Sequence, residues 1–265
     1  MKSLQFSPRR FWLTLVWTLN YQRRTLLTLF STAVATFALY QYFTFIELKN
    51  DFPYRQSYGH DIAAYTAIRL DQIALASLAI GAALMCVGAS IAFWHLHRQN
   101  EGRRLLMLPA TPIEKFLARW VLYVPLLLVM LVAAFVAGDV LRVLTWPLFG
   151  YDVSFPSAIP AFFTQLKYLF FVTPTARPLG VFALWTLFLF FHALSLFCSV
   201  WLPRLAQLVV VVVFFAVIAL IENAIGNSAT LHLWPFAALT VVLAVGAFWL
   251  FCRYPQYQLF HSKKD

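Results

Sequence analysis

The residues spaced for chemistry gather in one stretch, Arg98–Arg119, RQNEGRRLLMLPATPIEKFLAR, which is strongly basic and stands between two strongly apolar segments. In its second half Thr111 is placed to accept the amide of Glu114 while the Glu114 carboxylate reaches back. Pro112 falls at the first helical position, where its missing donor is not needed. The spacing predicts a helix that begins at Thr111 and runs into the apolar stretch beyond. The first half suits a short helix over Arg98–Leu108, in which Leu105, Leu106 and Leu108 follow the charged Glu101, Arg103 and Arg104, until Pro109 stops it. Two helices then meet at a Pro109-Ala110 corner. A corner of this kind is either an ordinary basic loop that sets topology or a docking element for a soluble partner.

Other chemistry-bearing residues form weaker sets. His192 and Ser195 lie at helical spacing and have the types of a base and a nucleophile, but no glycine-flanked serine or paired acidic motif accompanies them. His95 and His97 are two apart and point to different helix faces. Glu222 is the one acid within an apolar run, a candidate for a pathway or outer gate; Asn223 and Asn227 beside it equally fit a water boundary. Cys86, Cys198 and Cys252 fall in apolar runs with no zinc or disulfide spacing. No Gly-x-x-x-x-Gly-Lys-Ser/Thr loop is present, so ATP in the P-loop manner would come from a separate subunit. No catalytic, cofactor-binding or metal-binding residue is assigned.

The elements that position these residues follow from composition. At 62% hydrophobic and 11% charged, with mean hydropathy +0.76, the chain is excluded from the soluble globules, whose charged fraction is about twice as high. The net charge of +10 sits at the ends of apolar runs, which points to anionic headgroups and away from nucleic acid. Residues 1–24 place Arg10, Thr14, Thr18 and Tyr21-Gln22 on one helical face and Phe11, Trp12, Leu15, Val16 and Leu19 on the other. This run is too short to span, is interrupted by Arg23 and Arg24, and suits a helix lying in the membrane interface.

Six apolar runs, at about 25–46, 73–94, 120–138, 179–202, 205–221 and 233–252, predict transmembrane helices. In the second, Ala74, Ser77, Gly81 and Gly88 form a small-residue stripe for close helix approach, within the chain or between chains. Asp139 and Arg142 mark the far end of the third. Thr145–Pro178 is the longest connection, and its Phe162–Phe171 stretch suits the outer interface. With this alternation only Lys49, Arg55, Arg69, Arg142, Lys167 and Arg177 of the 20 basic residues lie outside, whereas only Glu101, Glu114 and Asp265 of the 10 acids lie inside. The expectation is an all-α membrane protein: one transmembrane domain over 1–265, six spans, both termini cytoplasmic.

The segment Glu101-Gly102-Arg103-Arg104-Leu105-Leu106-Met107-Leu108-Pro109-Ala110-Thr111-Pro112-Ile113-Glu114-Lys115-Phe116 resembles the loop between the second and third spans of ATP-binding-cassette (ABC) type-2 permeases, especially bacterial ones of the Bacteroidetes type. Many relatives carry Thr after the glycine, where this chain has Arg103. The resemblance implies that 1–24 is an elbow helix, that 98–119 is a cytoplasmic coupling loop, and that Glu222–Leu233 is a short re-entrant piece. It implies contact with an ATPase through Glu101, Gly102, Arg103, Arg104, Leu105, Leu106, Leu108, Pro109, Thr111 and Glu114. The implied partners are a cytoplasmic ABC ATPase that carries ATP and Mg, a second copy or a similar permease, and the lipid of a bacterial inner membrane. The implied activity is export. A non-transporting scaffold that recruits a cytoplasmic complex, or an intramembrane enzyme using His192, Ser195 or Glu222, are the alternative readings.

Overall fold

The computed structural model describes residues 6–57, 61–93, 107–149, 156–170, 178–202, 205–226 and 234–261. Every regular element among them is helical: α1 (Pro8–Ser57), α2 (Ile62–Ile91), α3 (Pro112–Val121), α4 (Leu127–Thr145), α5 (Ile159–Phe170), α6 (Pro178–Trp201), α7 (Ala206–Gly226) and α8 (Trp234–His261). Four helical stretches are long and apolar enough to cross a membrane: Pro8–Asp51, Ile62–Ile91, Pro112–Leu148 and Pro235–Arg253. Trp185–Trp201 of α6 and Ala206–Val217 of α7 are shorter apolar stretches. The chain is an all-helical, membrane-embedded protein.

The expected separate helix over residues 1–24 is not a separate element, because α1 runs unbroken through Arg23 and Arg24 for 50 residues. Between Pro8 and Pro53 there is neither glycine nor proline, and two charges alone cannot stop a helix. The polar stripe also faces the other way from an interfacial helix: Thr14, Thr18 and Gln22 are buried, while Trp12 and Leu13 are 62% and 61% exposed. The hydroxyls tolerate burial because Thr14 donates to the Arg10 carbonyl at 2.8 Å and Thr18 to the Thr14 carbonyl at 2.7 Å.

Helix also extends beyond the first two apolar runs, since α1 continues to Ser57 and α2 begins at Ile62. α2 starts under an Asp61 cap, whose carboxylate accepts the Ala63 amide at 2.9 Å. α3 is followed by a π turn at Leu122–Leu126, and α4 begins at Leu127. Pro125 lies in that turn; it lacks the N–H that would bond four residues back, so the helix widens there.

The chain divides into two compact units. One comprises Met1–Arg23, Met85–Leu126 and Phe182–Asp265. Its apolar centre joins Phe190, Phe191, Leu194 and Cys198 of α6 to Ala206 and Val217 of α7, with Phe236 and Leu243 of α8 against them. Gly246 lets α8 approach α6, since a Cβ there would sit 3.0 Å from the Phe197 ring.

The other unit comprises Arg24–Leu84 and Leu127–Val181. There α1 buries Ala33, Phe37, Gln41, Phe45 and Leu48 at helical spacing, and Phe37 meets Phe135 of α4 edge-on at 5.7 Å. Phe135 stacks on Phe162 of α5 at 4.0 Å. Ala74 and Ser77 are fully buried and Gly81 receives the tip of Phe37, so this part of the small-residue stripe is used within the chain.

Asp139 and Arg142, near the end of α4, are packed inside the protein. Both side chains are 1% exposed, and the helix continues past them to Thr145. Arg142 donates from Nε and Nη2 to Asp139 Oδ1 at 3.0 and 2.9 Å, and its guanidinium lies 3.8 Å from the Phe45 ring centre. The second Asp139 oxygen accepts the Ser157 hydroxyl and the Ala158 amide, the latter at 3.1 Å, at the start of α5. Two buried charges persist because every lone pair facing the interior meets a donor.

Candidate coupling site

The bend and the helix start at Thr111 form where the sequence places them; the short helix expected over Arg98–Leu108 lies, up to residue 106, outside the described residues. Leu108–Ala110 bend sharply, closed by the Ala110 amide on the Leu108 carbonyl at 2.8 Å. Thr111 then adopts an extended conformation (φ −70°, ψ 158°) as the cap of α3. Its hydroxyl accepts the Glu114 amide at 3.2 Å, and its own amide donates to Glu114 Oε2 at 2.8 Å. The reciprocal box satisfies two amides that a helix start leaves without partners.

The other Glu114 oxygen does what no local pattern announces. Oε1 accepts the backbone amide of Ser7 at 2.7 Å and the Arg10 guanidinium at 3.3 Å, so one carboxylate ties the start of α1 to the start of α3. Glu114 is fully buried. It sits in the first turn of α3, ahead of the apolar part that begins at Trp120. The Ser7 and Thr111 amides and the Arg10 guanidinium together satisfy the buried carboxylate.

A second set of contacts fixes α3 further along. Arg119, 1% exposed, donates from Nη1 to the Ala92 carbonyl just past the end of α2 at 3.1 Å, where a cation suits an unsatisfied helix terminus. Its guanidinium lies over the Phe93 ring, and Phe93 stacks on Phe116 of α3 at 5.4 Å. Phe116 meets Phe248 and Phe251 of α8 at 5.3 and 5.5 Å, closing an aromatic cluster. The corner is therefore mounted on α1, the end of α2 and α8, all within one compact unit.

Of the residues expected to contact an ATPase, Leu108, Pro109, Thr111 and Glu114 lie at this corner, with Pro109 exposed and Leu108 half-buried; Met107 beside them is 81% exposed. Glu101, Gly102, Arg103, Arg104, Leu105 and Leu106 lie outside the described residues, as do His95, His97, His232 and most of Glu222–Leu233. Glu222 itself lies on α7, which runs through it unbroken to Gly226.

His192 and Ser195 are both buried, but Ser195 donates to the Phe191 carbonyl at 2.7 Å and neither His192 ring nitrogen has a hydrogen-bond partner among the described residues. The pair is not wired as base and nucleophile. Among the described residues no three His, Cys, Asp or Glu side chains gather to hold a metal ion. Sequence reasoning missed Ser7, Arg10, Arg119, Phe93 and Phe116. Only Arg119 carried a signal, as a lone cation at the threshold of an apolar run. No protein-family model matches the chain, and neither does any curated protein or solved structure.

Proposed function

We propose that this chain is the transmembrane subunit of an ABC exporter of the type-2 class, driven by a separate ATPase subunit that carries ATP and Mg. The observation that carries the reading is the mounting of the corner. A segment whose residues resemble a coupling loop leads into a helix locked by Glu114 to α1 and by Arg119 to the end of α2. A loop that only sets topology needs no such bracing. A loop that receives force from a soluble subunit needs a stiff attachment, because a compliant one absorbs the displacement before it reaches the spans. In this reading Glu101, Arg103 and Arg104 make polar contacts to the ATPase, Leu105, Leu106 and Leu108 pack into its groove, and Gly102 allows close approach. Six spans, both termini in the cytoplasm of a bacterial inner membrane, and a homodimer or a pair with a similar permease complete the proposal; Glu222 stands at an outer gate.

The test is to purify the tagged protein from its own membranes in mild detergent, identify what comes with it, and repeat with Leu105→Asp/Leu106→Asp. A Walker-motif ATPase that accompanies the wild type and is lost from a still-inserted double variant supports coupling. A partner without ATPase activity, or an ATPase retained equally by the variant, moves the scaffold reading ahead. Loss of function on changing His192 or Ser195 with the complex intact moves the enzyme reading ahead.

A further inference from the structure

α1 and α2 enclose a cleft of about 450 Å³ lined by Tyr40, Phe43, Thr44, Glu47, Arg69, Gln72, Ile73 and Ala76, all in one compact unit. Its lining changes character along its length. Tyr40, Phe43, Ile73 and Ala76 belong to the apolar stretches of the two helices, whereas Glu47 follows the last uncharged residue of one and Arg69 and Gln72 precede the other. One end is apolar and the other carries both signs of charge, which is the profile of a membrane boundary.

The charged end is built rather than incidental. Arg69 donates from Nε to the Tyr65 hydroxyl at 2.9 Å and from Nη1 to Gln72 Oε1 at 3.2 Å, and its Nη2 lies 3.5 Å from Asp51 Oδ2. The Tyr65 hydroxyl in turn donates to Asp51 at 2.9 Å. These contacts orient the guanidinium and occupy three of its five N–H groups, leaving one on each terminal nitrogen, the fork that suits a phosphate. Glu47 stands exposed on the same rim, with Tyr40 in the same lining.

We propose that this cleft binds a zwitterionic aminophospholipid, its phosphate on Arg69, its ammonium against Glu47, and an acyl chain along Phe43, Ile73 and Ala76. Phosphatidylglycerol carries the same phosphate but a neutral glycerol in place of the ammonium, so it offers Glu47 no countercharge and an anionic phospholipid fits worse. A soluble phosphoamine would leave the apolar end unfilled. The proposal rests on the membrane reading and not on the pairing with an ATPase, so failure of the copurification leaves it standing.

The test titrates the purified full chain in detergent with phosphatidylethanolamine and phosphatidylglycerol of identical acyl chains, reading bound lipid by native mass spectrometry. Phosphatidylethanolamine binds about fivefold more tightly, the factor one exposed ion pair supplies. Glu47→Gln, at an exposed site that leaves the fold intact, removes that preference while phospholipid binding persists, and Arg69→Gln weakens both lipids. Glycerophosphoethanolamine at the same concentration does not displace the lipid. Equal binding of the two lipids by the wild type, an unchanged preference in Glu47→Gln, or displacement by the soluble headgroup overturns the assignment.

Discussion

The backbone amide of Ser7 donates to the buried carboxylate of Glu114 at 2.7 Å across 107 residues of sequence. The same carboxylate closes the capping box of α3, so the two helix starts share one group and neither is independent of the other.

Glu114→Ala is expected to cost about 3 kcal/mol, because it leaves the Ser7 and Thr111 amides and the Arg10 guanidinium without their acceptor. Arg10→Ala costs at most about 1 kcal/mol, since that partner is partly solvated and the two amides keep their acceptor. Thermal unfolding in detergent, followed by the fluorescence of the nine tryptophans, separates the two. Equal losses would mean that the Arg10 charge dominates the site.

For the buried Asp139–Arg142 pair, removing one member is worse than removing both. Asp139→Leu strands Arg142 and costs about 3–5 kcal/mol, whereas Asp139→Leu/Arg142→Met recovers most of that loss. A double variant that unfolds as readily as the sum of the single changes would show that the pair is not a closed unit.

Two glycines of one compact unit should respond oppositely to alanine. A Cβ at Gly138 would lie 3.1 Å from the Ala38 backbone nitrogen and 3.2 Å from Phe37 Cβ, so Gly138→Ala forces α1 and α4 apart and costs about 1–3 kcal/mol. At Gly81 the nearest atom is the Phe37 ring tip at 4.0 Å, and Gly81→Ala should gain up to about 1 kcal/mol from helix propensity. Midpoints shifting in the same direction would refute the difference in helix approach.

What the sequence determined by itself is local. The Thr111–Glu114 box, Pro112 at the first helical position and the Pro109 corner involve partners within three residues of one another, so spacing alone specifies them. The apolar runs likewise predict helices, because backbone groups in hydrocarbon must be satisfied within the segment. The tertiary structure decided which face of each helix is inside. The polar stripe of Arg10, Thr14 and Thr18 looked interfacial and is turned inward at Thr14 and Thr18, because their hydroxyls bond their own helix and Arg10 finds Glu114. Asp139 and Arg142, expected at the far end of the third span, are held inside because Ser157, Ala158 and Phe45 complete their surroundings from distant positions. Helical periodicity carries no record of a donor that arrives from a hundred residues away, and such donors decide whether a charge within an apolar chain faces water or is held inside.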